Sequence, residues 1–116
     1  MKRRRENLGN FELMVLLAVM RLKEDAYGLP ILAEIESCIG REVALGSVYA
    51  ALTRLESKGF VSSRLGEPTP ERGGKAKRYF TVTTGGVREA SSVRQALVSL
   101  WRELPEAGAV ARANRG

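Results

Sequence analysis

The chain has 116 residues, of which 44% are hydrophobic and 28% are charged, a composition typical of one small globular domain. It contains no His and a single Cys, which excludes catalytic triads built on His and metal sites built on clusters of His and Cys. The 19 Lys and Arg residues outnumber the 13 Asp and Glu residues. The resulting net charge of +6 favours a polyanionic partner.

Two features bear on the location of the protein. The longest apolar run, Leu13 to Met20, is far shorter than a membrane span, and no small-residue cleavage site follows the basic start at Lys2 to Arg5. The lone Cys38 excludes an internal disulfide and fits a reducing environment. We therefore expect a cytoplasmic protein with no membrane partner, in which Cys38 is a buried thiol.

The first predicted helix begins near Asn10, a good N-cap residue, and ends at about Lys23. It is apolar on nearly every side, a pattern typical of a helix that is buried all round. Because the core of so small a domain cannot easily cover both faces, we expect a second subunit to cover one of them.

A second helix follows a break at Asp25 to Gly28. Pro30 suits its first turn, and Gly40 is suited to end it. Between these residues one apolar stripe is formed by Ile31, Leu32, Ile35 and Ile39.

The third predicted helix covers Leu45 to Lys58, with Gly59 just beyond its end. Its buried stripe is Val48, Leu52 and Leu55, and the opposite face carries small or hydrogen-bonding side chains. At 100° per residue, that outer face consists of Ser47, Ala50, Thr53, Arg54 and Ser57. A face with one long cation and no acid is unusual for a helix that only needs solubility.

Two strands are predicted at Phe60–Leu65 and Arg78–Thr83, joined by a turn-rich loop. The cations of this region are Arg64, Arg72, Lys75, Lys77 and Arg78. One of Tyr79 and Phe80 is expected in the core, because neighbouring residues of a strand point to opposite faces.

Thr83 is suited to cap a last helix, which is expected to run to Glu103 and stop at Pro105. Its apolar residues have the 3-4-3-4 spacing of a helix that packs on another helix, and they are Ala90, Val93, Leu97, Leu100 and Leu104. We expect them, with Trp101, to form a dimer interface. The alternative for Trp101 is a place in an effector pocket.

The order of three helices, a basic hairpin and a final helix predicts a mainly α fold with a small β-hairpin. It is the order of a winged helix-turn-helix with a C-terminal dimerisation helix, in which the third helix enters the major groove. We assign residues 1–83 to the DNA-binding domain with its basic N-terminal arm, 84–104 to the dimerisation helix and 105–116 to a disordered tail. The arm at Lys2 to Arg5 is either a DNA contact or a solvated tail.

Three segments resemble the PadR-like transcriptional regulators: Tyr27-Gly28, Leu45 to Phe60, and Gly74 to Gly86. The resemblance covers residues 8–104 and corresponds to the short-tailed branch of the family. It implies a homodimeric repressor that is often controlled by a small-molecule effector. It also implies dimerisation through the last helix and parts of the first.

These arguments lead to candidate sites for double-stranded DNA and for self-association, with no catalytic residue, metal or cofactor. Tyr49 serves equally well as a core aromatic or as a phosphate contact. The candidate DNA-binding residues are Ser47, Tyr49, Ala50, Thr53, Arg54, Ser57, Lys75, Lys77 and Arg78.

Two other classes of function stand beside a DNA-binding regulator. A winged-helix module that binds only proteins is disfavoured by the net positive charge and by the acid-poor outer face of the third helix. An enzyme is disfavoured because neither paired carboxylates nor a phosphate-binding loop follow the required elements.

Overall fold

A computed structural model describes residues 8–67 and 76–105. The basic arm at Lys2 to Arg5, the tail from residue 106, the turn-rich loop at 68–75 and the candidate contact Lys75 therefore lie outside the described residues. The elements are α1 (Asn10–Leu22), a short 3-10 turn (Lys23–Asp25), α2 (Gly28–Ile39), α3 (Leu45–Ser57), β1 (Val61–Leu65), β2 (Arg78–Val82) and α4 (Thr84–Trp101). Four helices and a two-stranded hairpin confirm the predicted fold class.

The start of α1 corrects the expected N-cap. Gly9 is the capping residue and Asn10 is the first residue of the helix. The carboxylate of Glu12 accepts a hydrogen bond from the Gly9 N–H at 3.3 Å, so Glu12 closes the first turn.

The burial of α1 is one-sided, and the expectation of a helix buried all round is wrong for the single chain. Val15, Leu16 and Val19 are 0–2% exposed and belong to the core. On the other side, Met14, Leu17 and Met20 are 36–42% exposed. The sequence could not separate these two faces, because both are equally apolar.

The core lies where α1, α2 and α3 meet under the hairpin. Its members on α2 and α3 are the ones that periodicity predicts: Ile31, Ile35, Val48, Leu52 and Leu55 are at most 3% exposed. Leu32 and Ile39 pack at its margin. Both predicted helix-ending glycines have a positive φ, +74° at Gly40 and +81° at Gly59, a conformation that a side chain would disfavour.

The hairpin is antiparallel, and Val61 pairs with Val82 at one end and Leu65 with Arg78 at the other. Phe80 is 4% exposed, which identifies it as the core member of the Tyr79–Phe80 pair. The Phe80 N–H donates to the Ala26 carbonyl at 2.8 Å and ties the hairpin to the segment before α2. Phe60 and Thr83 are the expected strand ends, but both lie outside the strands. Thr83 is excluded because it caps α4 instead.

Thr83 caps α4 as predicted, since its Oγ1 accepts from the Gly86 N–H at 3.0 Å. The helix ends at Trp101, two residues before the expected end, because Arg102 leaves the helical region and Glu103 has a φ of +67°. Only Gly86 and Ala90 are buried on this helix. The C-terminal half of α4 is therefore an exposed helix with apolar side chains. No helix in residues 8–67 and 76–105 combines the length and apolarity needed to cross a membrane.

Candidate nucleic-acid interface

The outer face of α3 is exposed along its whole length. All five residues that the sequence places there are in contact with solvent: Ser47, Ala50, Thr53, Arg54 and Ser57. The Thr53 hydroxyl donates to the Tyr49 carbonyl at 3.0 Å, which leaves its oxygen free to accept a further hydrogen bond. The one acid within α3, Glu56, accepts a hydrogen bond from the Ser63 hydroxyl of β1 at 2.9 Å.

Arg54 is not the unattached cation that its exposed position predicts. Its Nε donates to Oε2 of Glu12 at 2.6 Å, although the Arg54 side chain stays 53% exposed. The other oxygen of the same carboxylate accepts from Lys58 Nζ at 2.7 Å. Glu12 thus holds two cations, Arg54 on α3 and Lys58 directly after the end of that helix.

Glu12 is a residue that sequence reasoning missed. It is 7% exposed, and it is the one charged residue classed as buried in the described part of the chain. Burial raises the pKa of this carboxyl, but hydrogen bonds from Lys58, Arg54 and the Gly9 N–H outweigh burial, so its pKa falls from 4.5 to about 2. The sequence offered one signal, which is that Glu12 is an acid inside an otherwise apolar segment. That signal does not indicate which residues Glu12 pairs with.

Tyr49 lies at the edge of the α3 face and is 43% exposed. Its ring packs against the backbone of Gly28, at the first turn of α2. A side chain at position 28 would overlap the Tyr49 phenol, so the glycine that begins α2 and the tyrosine of α3 fit one another. The exposed part of Tyr49 leaves a phosphate contact open.

The hairpin carries cations on a framework of aromatic rings. Lys77 Nζ lies 4.5 Å from the centroid of the Tyr27 ring and 3.4 Å from the Tyr27 hydroxyl. Tyr27 and Tyr79 meet edge to face at 5.3 Å, and Arg64 lies over Tyr79 at 4.9 Å. Sequence reasoning missed this cluster because Tyr27 and Tyr79 are far apart in the chain.

Arg78 is an exposed cation at the start of β2. Its Nη1 donates to the Ser63 hydroxyl at 3.0 Å, across the hairpin from its own strand. Because Ser63 also donates to Glu56, one hydroxyl links the hairpin cation to the third helix.

The candidate dimerisation residues divide into two groups. Ala90 is 6% exposed and lies in the core of its own chain, so it contributes little surface to a partner. Val93 is half-buried. The remaining four are exposed by 46–74%, and they are Leu97, Leu100, Trp101 and Leu104.

Exposed apolar surface continues from α4 onto α1. A groove between the two helices is lined by Leu13, Leu17, Met20, Val87, Leu97 and Val98, among others. Cys38 lies in a second apolar depression next to Met14 and Leu17, and it is exposed. The expectation of a buried thiol is therefore wrong, because Cys38 falls on the outer side of α2 near its end.

A family model for the transcriptional regulator PadR-like family matches residues 16–92. No curated protein matches the chain at a significant level. Among solved structures, the PadR family transcriptional regulator from Eggerthella lenta DSM 2243 is 26% identical, with a TM-score of 0.61 over 75% of this chain and 73% of that one.

Two further structures show the same fold at lower identity. A PadR-like transcriptional regulator from Bacillus cereus strain ATCC 14579 is 18% identical, with a TM-score of 0.65 over 91% of this chain and 92% of that one. A PadR-like transcription factor from Bacteroides fragilis is 24% identical, with a TM-score of 0.63 over 76% and 82% of the two chains. The family match covers well over half of the residues and includes the third helix and the hairpin. This chain belongs to the PadR-like family of transcriptional regulators.

Proposed function

We propose that this transcriptional regulator is a homodimeric repressor that binds double-stranded DNA. In this proposal α3 enters the major groove, and the hairpin is the wing that lies against the backbone or the minor groove. The basic wing and the helix together would cover one operator half-site per subunit.

The observation that carries the proposal is the outer face of α3. Its five exposed residues include no acid, and four of them have short side chains. Phosphates flank the major groove on both sides, so a helix that enters it must be narrow and must not carry uncompensated negative charge there. Ser47, Thr53 and Ser57 offer hydroxyl groups that pair with several bases, and Arg54 offers a cation.

The wing supports the same proposal through its charge. Arg78 begins β2 and Lys77 directly precedes it. Their partners among the described residues are the neutral side chains of Tyr27 and Ser63. Contact with a neutral partner leaves the charge available to a phosphate. Lys75 belongs to the same proposed contact on sequence grounds alone.

Self-association is proposed from the apolar surface of α1 and α4. Leu100 is 74% exposed and Trp101 is 69% exposed, on a helix that extends beyond its own core. Monomeric proteins rarely expose so much contiguous apolar surface, and an isologous dimer would cover both helices. The family resemblance also implies a small-molecule effector, and the exposed Trp101 is the candidate residue for its pocket.

Titration of DNA binding against salt tests the function. Four cations per subunit, Arg54, Lys75, Lys77 and Arg78, offer up to about eight contacts per dimer, and about six neutralised phosphates give a slope of log K against log salt of roughly −5. Selection of bound duplexes from random DNA supplies the operator and the half-site spacing. A slope near zero, or no retention on DNA at low salt, would instead identify a module that binds proteins.

A further inference from the structure

The ion pair between Glu12 of α1 and Arg54 of α3 connects the first helix to the outer face of the third. Glu12 is separated by 42 residues from Arg54 and by 46 residues from Lys58, so the contact fixes the third helix relative to the first. Arg54 belongs to the helix that we propose to read DNA, and Lys58 is the residue that directly follows it. The three groups carry one net positive charge, since one carboxylate faces two cations.

The geometry of the Arg54–Glu12 contact determines which N–H donors of Arg54 are left for a ligand. A guanidinium has a side edge that includes Nε and an end edge formed by the two Nη groups. Glu12 takes a hydrogen bond from Nε, at 2.6 Å. The two Nη groups have no hydrogen-bond partner within the described residues, and the side chain is half exposed. The end edge can pair in a bidentate manner with guanine or with a phosphate.

We propose that Glu12 is a positioning residue for DNA recognition, which anchors Arg54 through Nε so that its end edge is presented to the DNA. The inference rests on the proposed DNA-binding function. Without the anchor, Arg54 is a flexible side chain whose ordering reduces the affinity that each contact provides. With the anchor, the guanidinium plane is oriented before DNA arrives.

A second ion pair, between Arg21 and Glu34, has similar geometry but lies away from the proposed DNA-binding face. Arg21 Nε donates to Glu34 Oε2 at 2.5 Å, with the same edge and the same kind of acceptor. That pair joins α1 to α2, and its side chains are 68% and 23% exposed. It touches neither α3 nor the wing, so Glu34→Gln is a matched control for Glu12→Gln.

The test compares the affinity for the selected operator with the affinity for a scrambled duplex of equal length, at one salt concentration. The proteins are the wild type, Glu12→Gln, Arg54→Ala, the double variant and Glu34→Gln, each as the full chain. Glu12→Gln is expected to lower the operator-to-scrambled ratio by about tenfold, the discrimination that one oriented bidentate pair provides. Its affinity for the scrambled duplex should not fall, because removal of a negative charge favours binding to phosphates.

The double variant separates positioning from general electrostatics. If Glu12 acts through Arg54, Glu12→Gln has no further effect on the ratio once Arg54 is Ala. Glu34→Gln should keep the ratio within about twofold of the wild type. The proposal is overturned if Glu12→Gln also keeps the ratio within that range, or if the two single effects multiply in the double variant.

Arg54→Lys keeps the test decisive if Glu12→Gln does not fold. Lysine retains the charge but has a single ammonium group, which cannot offer one edge to Glu12 and another to DNA. The ratio should fall as far as in Arg54→Ala, and an unchanged ratio would overturn the proposal. A wild type that does not bind DNA at all would refute the proposed function, and that outcome is read from the wild-type protein alone.

Discussion

Gly28 lies so close to the phenol of Tyr49 that a side chain at position 28 would overlap the Tyr49 hydroxyl. The contact joins the first turn of α2 to the exposed edge of α3. Glycine is required at this position for space, because the aromatic ring of the third helix occupies the volume of its missing side chain. The packing of α2 on α3 therefore depends on this pair.

Gly28→Ala should lower the free energy of unfolding by about 1–3 kcal/mol, because the added methyl group forces the phenol or the helix to shift. Urea unfolding measures the change. Gly46→Ala is the control, since Gly46 also lies in the first turn of a helix but nothing lies within 4 Å of an added Cβ. That variant should be neutral or more stable by about 0.5–1 kcal/mol. Equal destabilisation of both variants would contradict the steric explanation.

Glu12 makes stability depend on pH in a defined window. Its pKa is about 2 in the folded chain and 4.5 without these partners, so its contribution to stability is complete above pH 4.5 and disappears as the pH falls toward 2. Glu12→Gln should lower the free energy of unfolding by up to about 3 kcal/mol near neutral pH, with a smaller difference in acid.

Urea unfolding of the wild type and Glu12→Gln at several pH values checks the Glu12 contribution. Glu34→Gln breaks a more exposed pair and should cost about 0–1 kcal/mol near neutral pH. A difference between the wild type and Glu12→Gln that stays constant down to pH 2 would mean that the charge of Glu12 is not responsible.

Leu97→Glu combined with Leu100→Glu should convert the proposed dimer into monomers or aggregates, because the new charges would lie in an apolar interface. Sedimentation at micromolar concentration measures the mass. Ser92→Glu combined with Ser99→Glu adds the same charge to the opposite face of α4 and should leave the dimer intact. A wild type that is a stable, soluble monomer would contradict the assignment of this helix.

Arg54 and Lys77 should affect DNA binding in different ways. Arg54→Ala should cost about 1–3 kcal/mol on the operator and much less on random DNA. Lys77→Ala should weaken both by similar factors, because binding to a phosphate carries no sequence information. It should also make the salt slope shallower by about one for each phosphate that is no longer neutralised. Arg88→Ala, an exposed cation on the polar side of α4, should change neither affinity.

The operator-to-random affinity ratio of both variants at one salt concentration is the decisive comparison. If Arg54→Ala preserved this ratio while Lys77→Ala abolished it, the wing would carry the sequence readout. Because Lys77 is in contact with the Tyr27 ring, Tyr27→Phe serves as a control for Lys77→Ala. It keeps the ring beneath the cation and should bind DNA like the wild type.

Local patterns in the sequence determine most of the fold. The helical stripes of α2 and α3, the left-handed glycines at Gly40 and Gly59 and the Thr83 cap each depend on residues within one or two turns of one another. Periodicity and capping are local properties, so the chain order alone predicts them. The acid-poor face of the third helix follows from the same arithmetic.

Tertiary structure decides which of two similar residues is buried or closely packed. Gly85 and Gly86 are adjacent, yet an added Cβ at Gly85 would meet only ordinary contacts, at 3.7 Å or more, while one at Gly86 would overlap the Phe60 carbonyl. Ala90 belongs to the predicted dimerisation residues by spacing, but it is buried in its own chain. The two faces of α1 differ only in what packs against them.

The contacts that set the candidate site also come from distant parts of the chain. Glu12 meets Arg54 across 42 residues, and Lys77 meets Tyr27 across 50. A sequence pattern shows that these residues are charged or aromatic, but the pairing depends on how α1, α3 and the hairpin pack. The sequence by itself therefore determined the helices, the hairpin and the face of α3, while the packing of distant elements decided how its cations are held.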